Sequence, residues 1–261
     1  EAEYQEILLK GSAILKCISN CSINNNYTLS YENSSKLIYD MKKYDLFVFK
    51  EKNYKIICFD SFKVDKGSAI MFEEHINRLK EYISLLSLDI CCSDIFIEKV
   101  RNRLKYFNGF PRIEIILFNE NIHFLLSLRK MPILHNIIEI NNIEIDTREK
   151  PEIKGYDYDK SNEIYKKKGE TIFINKKNYI LEGIYSSIVW WEEDTLCCIK
   201  NKNKLKSITL KAILGICNKL KIEYQEKDIK LEKIKRYELW FLNSLHGIRR
   251  IITWKKEYNK K

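Results

Sequence analysis

The feature that most limits the fold is a repeated switch between two hydrophobic periods along the chain. Strands alternate their side chains between two faces and helices repeat every ~3.6 residues, so such a switch marks a mixed chain of strands and amphipathic helices. Leu46-Phe47-Val48-Phe49 and Ile56-Ile57-Cys58-Phe59 read as strands separated by Glu51, Lys52 and Asn53. A hairpin continues through Phe62, Val64, Lys66, Gly67 and Ile70. Phe72 to Leu86 then places Phe72, Ile76, Leu79, Ile83 and Leu86 on one helical face. A second helix, Ile95 to Phe107, leads through Asn108-Gly109 to strands at Ile113 to Phe118 and Ile122 to Leu128. Pro132, one of only three prolines, follows this pair and marks a junction near residues 128–134.

Beyond the junction the same mixture returns. A strand is expected at Ile137 to Ile145 and a helix at Asp159 to Lys168, stopped by Gly169. Ile172 to Ile174 and Tyr179 to Leu181 form a hairpin around Lys176-Lys177-Asn178. Strands at Ile188 to Trp191 and Leu196 to Ile199 follow, then a helix at Thr209 to Leu220 and a strand at Leu239 to Leu242. At the other end, Glu1 to Cys17 reads as a helix and Ser19 to Asn33 as a polar, Asn-rich loop. The expectation is an α/β (α+β) chain in three parts. Residues 1–45 form an N-terminal extension, 46–130 a small α/β domain, and 131–261 a larger C-terminal domain.

The net charge of +10 raises the reading of a basic nucleic-acid-binding protein without catalysis. The Lys and Arg residues are spread along the chain and interleaved with Asp and Glu, so no nucleic-acid partner is expected. No apolar run reaches the ~18 residues of a membrane helix and no segment reads as a signal peptide, so the expected location is the cytoplasm. The chain opens on Glu1, which leaves open a removed organelle-targeting segment. Cys17, Cys21, Cys58, Cys91, Cys92, Cys197, Cys198 and Cys217 lack zinc-finger spacing, so neither a metal nor structural disulfides are expected. A Gly-rich phosphate loop, a His-Glu-x-x-His motif and a Gly-x-Ser-x-Gly elbow are all missing.

Five separated segments remain to carry chemistry. The first is Phe59-Asp60-Ser61-Phe62-Lys63-Val64-Asp65-Lys66-Gly67, followed by Phe72-Glu73-Glu74-His75-Ile76-Asn77-Arg78-Leu79. The second is Arg148-Glu149-Lys150-Pro151-Glu152-Ile153-Lys154-Gly155-Tyr156-Asp157-Tyr158. The third is Tyr179-Ile180-Leu181-Glu182-Gly183-Ile184-Tyr185-Ser186-Ser187-Ile188. The fourth is Ser207-Ile208-Thr209 before a helix, and the last runs from Tyr237 to Ile251 through Phe241-Leu242-Asn243-Ser244-Leu245-His246-Gly247-Ile248. In this order, from about Phe59 to Ile252, they resemble the class IV aminotransferase and 4-amino-4-deoxychorismate lyase family. The last segment resembles the Phe-Leu-x-Asn-Ser-Leu-x-Gly-Ile of the lyase branch.

The resemblance implies pyridoxal-phosphate fold type IV, D-amino acid aminotransferase-like, with two lobes and the cofactor, pyridoxal 5′-phosphate, in their cleft. It implies Lys154 as the Schiff-base lysine, whose amine burial would help to free of its proton. Arg78 would reach the cofactor phosphate, since a planar guanidinium binds two oxygens at once. Glu182 would keep the pyridine nitrogen protonated, and Tyr158 would lie near the cofactor. Ile208 and Thr209 would hold the phosphate at a helix N-terminus, with Ser244 adding a hydroxyl. Each residue also has an ordinary reading: Arg78 a solvated helix residue, Tyr158 a helix start, Thr209 a cap, Ser244 turn chemistry.

Three departures stand out: Ser187 where the family has Asn, Ser207 where it has Gly, and Leu210 where it has Arg. Arg249, Arg250 and His246 are candidates for holding substrate carboxylates by location alone. The resemblance further implies a homodimer acting on a small-molecule substrate. The lyase reaction converts 4-amino-4-deoxychorismate to 4-aminobenzoate and pyruvate, a step towards folate. The alternative on the same scaffold is transamination of branched-chain or D-amino acids.

Overall fold

The computed structural model describes residues 35–200 and 203–254. The helix expected over Glu1 to Cys17 and the loop over Ser19 to Asn33 lie outside the described residues. The chain divides into two units. Within the described residues, the N-terminal unit holds 35–133 together with Ile153–Tyr156, and the C-terminal unit holds 134–152 and the residues from Asp157 onward. The expected α/β class is what the structure shows.

The N-terminal unit is built on five antiparallel strands: β1 (Ser35–Asp40), β2 (Asp45–Val48), β3 (Lys55–Ser61), β6 (Arg112–Phe118) and β7 (Asn121–Leu128). Between them a two-stranded ribbon, β4 (Val64–Asp65) and β5 (Ser68–Ala69), follows β3. The order in the sheet is β2-β1-β7-β6-β3. The two runs at Leu46 and Ile56, neighbours in sequence, therefore lie at opposite edges. β1 lies inside the sheet between β2 and β7, so residues 35–45, expected in an extension, belong to this unit. Their signal was masked by polar neighbours: only Leu37 and Tyr39 of β1 are buried.

Two helices cover this sheet: α1 (Phe72–Leu85) and α2 (Asp94–Leu104). α2 starts where Ser93 Oγ accepts the Phe96 N–H at 3.2 Å, a serine N-cap. It packs through Phe96, whose ring stacks on Phe124 of β7 at 4.4 Å. α1 buries Ile76, Leu79 and Tyr82, as an amphipathic helix should, but it buries His75 and Arg78 on the same side. Two polar residues on a buried face require partners there.

The C-terminal unit has two sheets. A six-stranded one runs in the order β14-β13-β12-β15-β16-β8, from Tyr224–Lys227, Thr195–Ile199, Ser187–Glu192, Leu239–Asn243, Gly247–Trp254 and Ile137–Ile140. A three-stranded one runs β11-β10-β9, from Ile180–Gly183, Thr171–Ile174 and Asn142–Ile145. Helices α3 (Tyr158–Lys168), α4 (Ile208–Leu220) and the short α5 (Leu231–Ile234) complete it. Both faces of the six-stranded sheet are covered, which is why β12 is a continuous apolar run rather than an alternating one. Ile188 and Trp190 enter one core with Ile172, Ile174, Leu239 and Phe241. Val189 and Trp191 enter another, with Leu210, Ile213 and Cys217 of α4.

The single strand expected over Ile137 to Ile145 is two strands in two sheets. β8 pairs in parallel with β16, and β9 in parallel with β10. Asn141 separates them, and its N–H and that of Asn142 both donate to Glu170 O, at 3.0 and 3.3 Å. Among the described residues no helix is long and apolar enough to cross a membrane, and Cys58, Cys91, Cys92, Cys197, Cys198 and Cys217 are free thiols.

Trp190 is fully buried at the centre of its core. Trp190→Ala should lower unfolding free energy by about 3–5 kcal/mol, read as a shifted denaturant midpoint. The same substitution at Ile133, which is 80% exposed, should change it by no more than about 0.5 kcal/mol.

Candidate active site

In the N-terminal unit, the partners that α1 requires converge on one carboxylate. Asp60, near the end of β3, is fully buried. Arg78 Nε donates to its Oδ2 at 2.8 Å and Arg78 Nη2 to its Oδ1 at 2.7 Å. His75 Nδ1 lies 2.9 Å from Oδ1, and the Ser61 N–H donates to the same oxygen at 2.7 Å. Burial alone would raise the Asp60 pKa, but Arg78, His75 and Lys154 outweigh it and hold the carboxyl far below the usual range. Burial also lowers the His75 pKa, against the pull of Asp60, so a neutral ring donating from Nδ1 fits the geometry.

Lys154 completes the cluster. Its Nζ donates to Ser61 Oγ at 2.9 Å and to Ser61 O at 3.3 Å, and lies 3.7 Å from Asp60 Oδ1. The side chain is 23% exposed, so its amine sits at the rim of the buried charges. Burial first, then Arg78, Arg129 and Arg112, push its pKa down to about 7 against the opposing pull of Asp60. The backbone fixes this position: Phe59 N–H donates to Lys154 O at 2.9 Å, and Ile153 is buried. Gly155 follows with φ +93°, where an added Cβ would sit 2.4 Å from Phe59 Cδ1. Here glycine is required twice, by conformation and by space.

The C-terminal unit carries a second constellation. Glu182 of β11 is buried and accepts from Arg148 Nη2 at 2.8 Å. Arg148 also makes a two-point contact with Asp146, at 2.9 and 2.7 Å, and lies over the Phe173 ring at 4.3 Å. Burial raises the Glu182 pKa to about 7 even with Arg148 beside it. Glu182 is held in register by pairing with Phe173 of β10, across a turn in which Asn175 Oδ1 accepts from Lys177 and Tyr179 N–H groups.

At the start of α4, Ser207 Oγ accepts the Leu210 N–H at 3.1 Å and Lys211 N–H bonds to Ser207 O. Ile208 and Thr209, the first two helical residues, have N–H groups that the helix itself cannot satisfy. Thr209 Oγ1 lies 3.4 Å from Ser244 Oγ. Two hydroxyls and two helix-terminal amides therefore gather at one point, a donor set that suits a phosphate. The Ser207 that replaces glycine serves as the helix N-cap.

Within each unit, then, some expected residues come together: Lys154 with Arg78 through Asp60, and Ile208 and Thr209 with Ser244. Tyr158 opens α3, half-buried, with Tyr185 in its surroundings. Arg78, expected at the phosphate, has Nε and Nη2 committed to Asp60, because a buried carboxylate competes for the guanidinium fork. Asp60, Ser61 and Arg148, which lie within the motifs, are the residues of these clusters that the family resemblance does not point to. The signal for Asp60 was available in the spacing of His75, Arg78, Leu79 and Tyr82, which puts two polar residues on the apolar stripe of α1.

Each unit separately carries groups that a cofactor with an aldehyde, a ring nitrogen and a phosphate requires: the N-terminal unit an amine near neutrality, the C-terminal unit a buried carboxylate and an anion cradle. A family model for amino-transferase class IV matches residues 57–254. The chain belongs to the class IV aminotransferases. Its cofactor is pyridoxal 5′-phosphate. Comparison with curated proteins finds no match. Among solved structures, a fold IV transaminase from Curtobacterium pusillum is similar with a TM-score of 0.71 at 14% identity, over 87% of this chain and 93% of that one. A hypothetical aminotransferase from Mycobacterium tuberculosis, in its pyridoxal-phosphate-bound form, gives 0.70 at 14% identity, over 85% and 91%. The 4-amino-4-deoxychorismate lyase from Pseudomonas aeruginosa gives 0.65 at 14% identity, over 77% and 83%. These likenesses establish fold type IV.

Three measurements check the site. At pH 7 and without cofactor, limited reductive methylation followed by peptide mass mapping should label Lys154 ahead of exposed lysines of ordinary pKa, about 10.4. Because its folded pKa is depressed, the contribution of Lys154 to stability should grow as pH rises from about 7 and be complete only above the unfolded lysine value. Gly155→Ala should cost about 1–3 kcal/mol of stability, read by thermal unfolding, because both its φ and its contact with Phe59 forbid a Cβ.

Proposed function

We propose that the protein is a pyridoxal-phosphate-dependent lyase that converts 4-amino-4-deoxychorismate to 4-aminobenzoate and pyruvate. The observation that carries this reading is the pairing of Lys154 Nζ with the Ser61 hydroxyl at 2.9 Å. A base with a pKa near 7, hydrogen-bonded to a second proton carrier, suits a reaction that must remove one proton and deliver another. The Phe-Leu-Asn-Ser-Leu-His-Gly-Ile stretch over residues 241–248, which resembles the lyase branch, supports the same assignment.

When bound, the cofactor supplies an electron-accepting ring conjugated to the substrate nitrogen. Lys154 takes the proton from the ring carbon that bears that nitrogen. The electron pair released there expels the neighbouring enolpyruvyl oxygen, breaking the carbon–oxygen bond and leaving an aromatic ring. Ser61 gives its proton to the departing enolpyruvate, which becomes pyruvate, and recovers one from the Lys154 ammonium. Protons and electrons balance without an oxidant or a keto acid. Glu182 is assigned to the ring nitrogen, and Ile208, Thr209 and Ser244 to the phosphate. Arg78, which holds Asp60, and Tyr158 are assigned to the cofactor by the family resemblance.

Purified protein given pyridoxal phosphate and 4-amino-4-deoxychorismate, with no keto acid, should release 4-aminobenzoate and pyruvate in equal amounts. Lys154→Ala should abolish this and the borohydride-fixed label at residue 154. Ser61→Ala should keep the cofactor and slow release by about 10²-fold or more, the typical scale of one lost proton-transfer partner. Failure to form 4-aminobenzoate by a protein that carries its cofactor and transaminates an amino acid would overturn the lyase assignment.

A further inference from the structure

The turn after Glu182 and the turn holding Ser244 are tied by a buried polar network that the reaction above does not use. Ser186 closes the first turn: Gly183 N–H donates to Ser186 O at 2.8 Å and Ser186 N–H to Gly183 O at 3.3 Å. Ser187 pairs with Leu242 across β12 and β15, which brings Ser186 level with Asn243 at the end of β15. Asn243 Nδ2 donates to Ser186 Oγ at 3.3 Å. Its Oδ1 accepts from Leu245 N–H at 3.1 Å and His246 N–H at 2.8 Å, shaping the turn that contains Ser244. Arg249 of β16 reaches the same hydroxyl, with Nη2 donating to Ser186 Oγ at 2.9 Å.

Arg249 is itself buried, 3.6 Å from Oε2 of the buried Glu170. Glu170 precedes β10, and Thr171 O, next in sequence, accepts the Ile184 N–H of the Glu182 turn at 2.8 Å. The ion pair is incompletely satisfied, since Arg249 Nε and Glu170 Oε1 have no hydrogen-bond partner among the described residues. Burial lowers the Arg249 pKa and raises that of Glu170, so each gains too little from the other to offset its loss of water. A buried, partly unsatisfied charge in mid-strand calls for an account of what it holds in place.

We propose that Arg249, acting through Ser186 and Asn243, is a positioning residue that sets the Glu182 turn against the Ser244 turn. It thereby fixes the distance between the carboxylate assigned to the cofactor ring and the hydroxyl assigned to its phosphate. This rests on those two assignments, and in it Arg249 acts through Ser186 and Asn243 rather than on the cofactor itself. The network makes the two contacts act together, because a cofactor aligned by one is already aligned for the other.

The test uses the full chain and spectrophotometric titration with pyridoxal phosphate, alongside thermal unfolding of the cofactor-free protein. Ser186→Ala, which takes the acceptor from Arg249 Nη2 and Asn243 Nδ2, should weaken cofactor binding about tenfold at temperatures where the cofactor-free protein is still fully folded, whatever shift its unfolding midpoint shows. Arg249→Met combined with Glu170→Gln, which removes both buried charges, should weaken binding to a similar extent without lowering that midpoint. Ser186→Thr should retain affinity. In the wild type, the losses from Glu182→Gln and Ser244→Ala should interact; in the Ser186→Ala background they should become independent and multiply. Unchanged affinity in Ser186→Ala, or affinity lost only in step with stability, overturns the proposal alone, provided Glu182→Gln and Ser244→Ala still weaken binding. If those two variants bind the cofactor as the wild type does, the site assignment itself fails and the proposal falls with it.

Discussion

The carboxylate of Asp60 is the point on which the N-terminal unit depends. Fully removed from water, it survives as an anion only because a guanidinium fork, an imidazole and a backbone amide all point at it. That requirement explains the otherwise anomalous face of α1, where His75 and Arg78 sit among Ile76, Leu79 and Tyr82. It also explains what an amine can do nearby. Lys154 meets two opposed fields, the attraction of Asp60 and the repulsion of Arg78, Arg129 and Arg112, on top of the cost of burial. The balance leaves the amine close to neutrality and anchored on Ser61. Segment Ile153–Tyr156 groups with this unit although the residues on either side group with the other.

Burial works in the opposite sense in the C-terminal unit. There it raises Glu182 to about 7, as it lowers Lys154 to about 7. One acid and one base are thus brought into the same range by the same loss of water, each restrained chiefly by a partner of opposite charge, Arg148 and Asp60 respectively. The sheets supply the rigidity that such tuning needs. β12 is covered on both faces, and its neighbours bring the hydroxyls of Thr209 and Ser244 to 3.4 Å although they lie 35 residues apart.

Most elements were legible because their periods are clean. The helix at Ile208–Leu220 and the strand at Ser187–Glu192 carry clean apolar patterns, and the helix at Phe72–Leu85 and the strand at Arg112–Phe118 hold enough apolar positions to be read past His75, Arg78 and Glu114. What escaped were elements whose burial depends on partners distant in sequence. β1 carries two buried apolar residues among polar ones, and β16 places Arg249 and Arg250 in mid-strand, so neither shows a simple alternation. The order of β2 and β3 at opposite edges could not be read from their adjacency, because pairing across a sheet is set by later strands. For the site, motif order singled out Lys154, Glu182, Thr209 and Ser244. It did not show that Asp60 takes two nitrogens of Arg78, since a side chain's choice between two acceptors is decided only in space.

Asn141 carries a consequence of a different kind. One residue separates a strand of the six-stranded sheet from a strand of the three-stranded sheet, and Glu170 O fastens the step. An insertion or deletion here would rotate one strand by a full face relative to its sheet, turning Ile143 or Ile138 outward whatever residues were chosen. Substitutions at the same place need only keep the apolar side apolar. Chain length at this joint is therefore far less tolerant of change than residue identity.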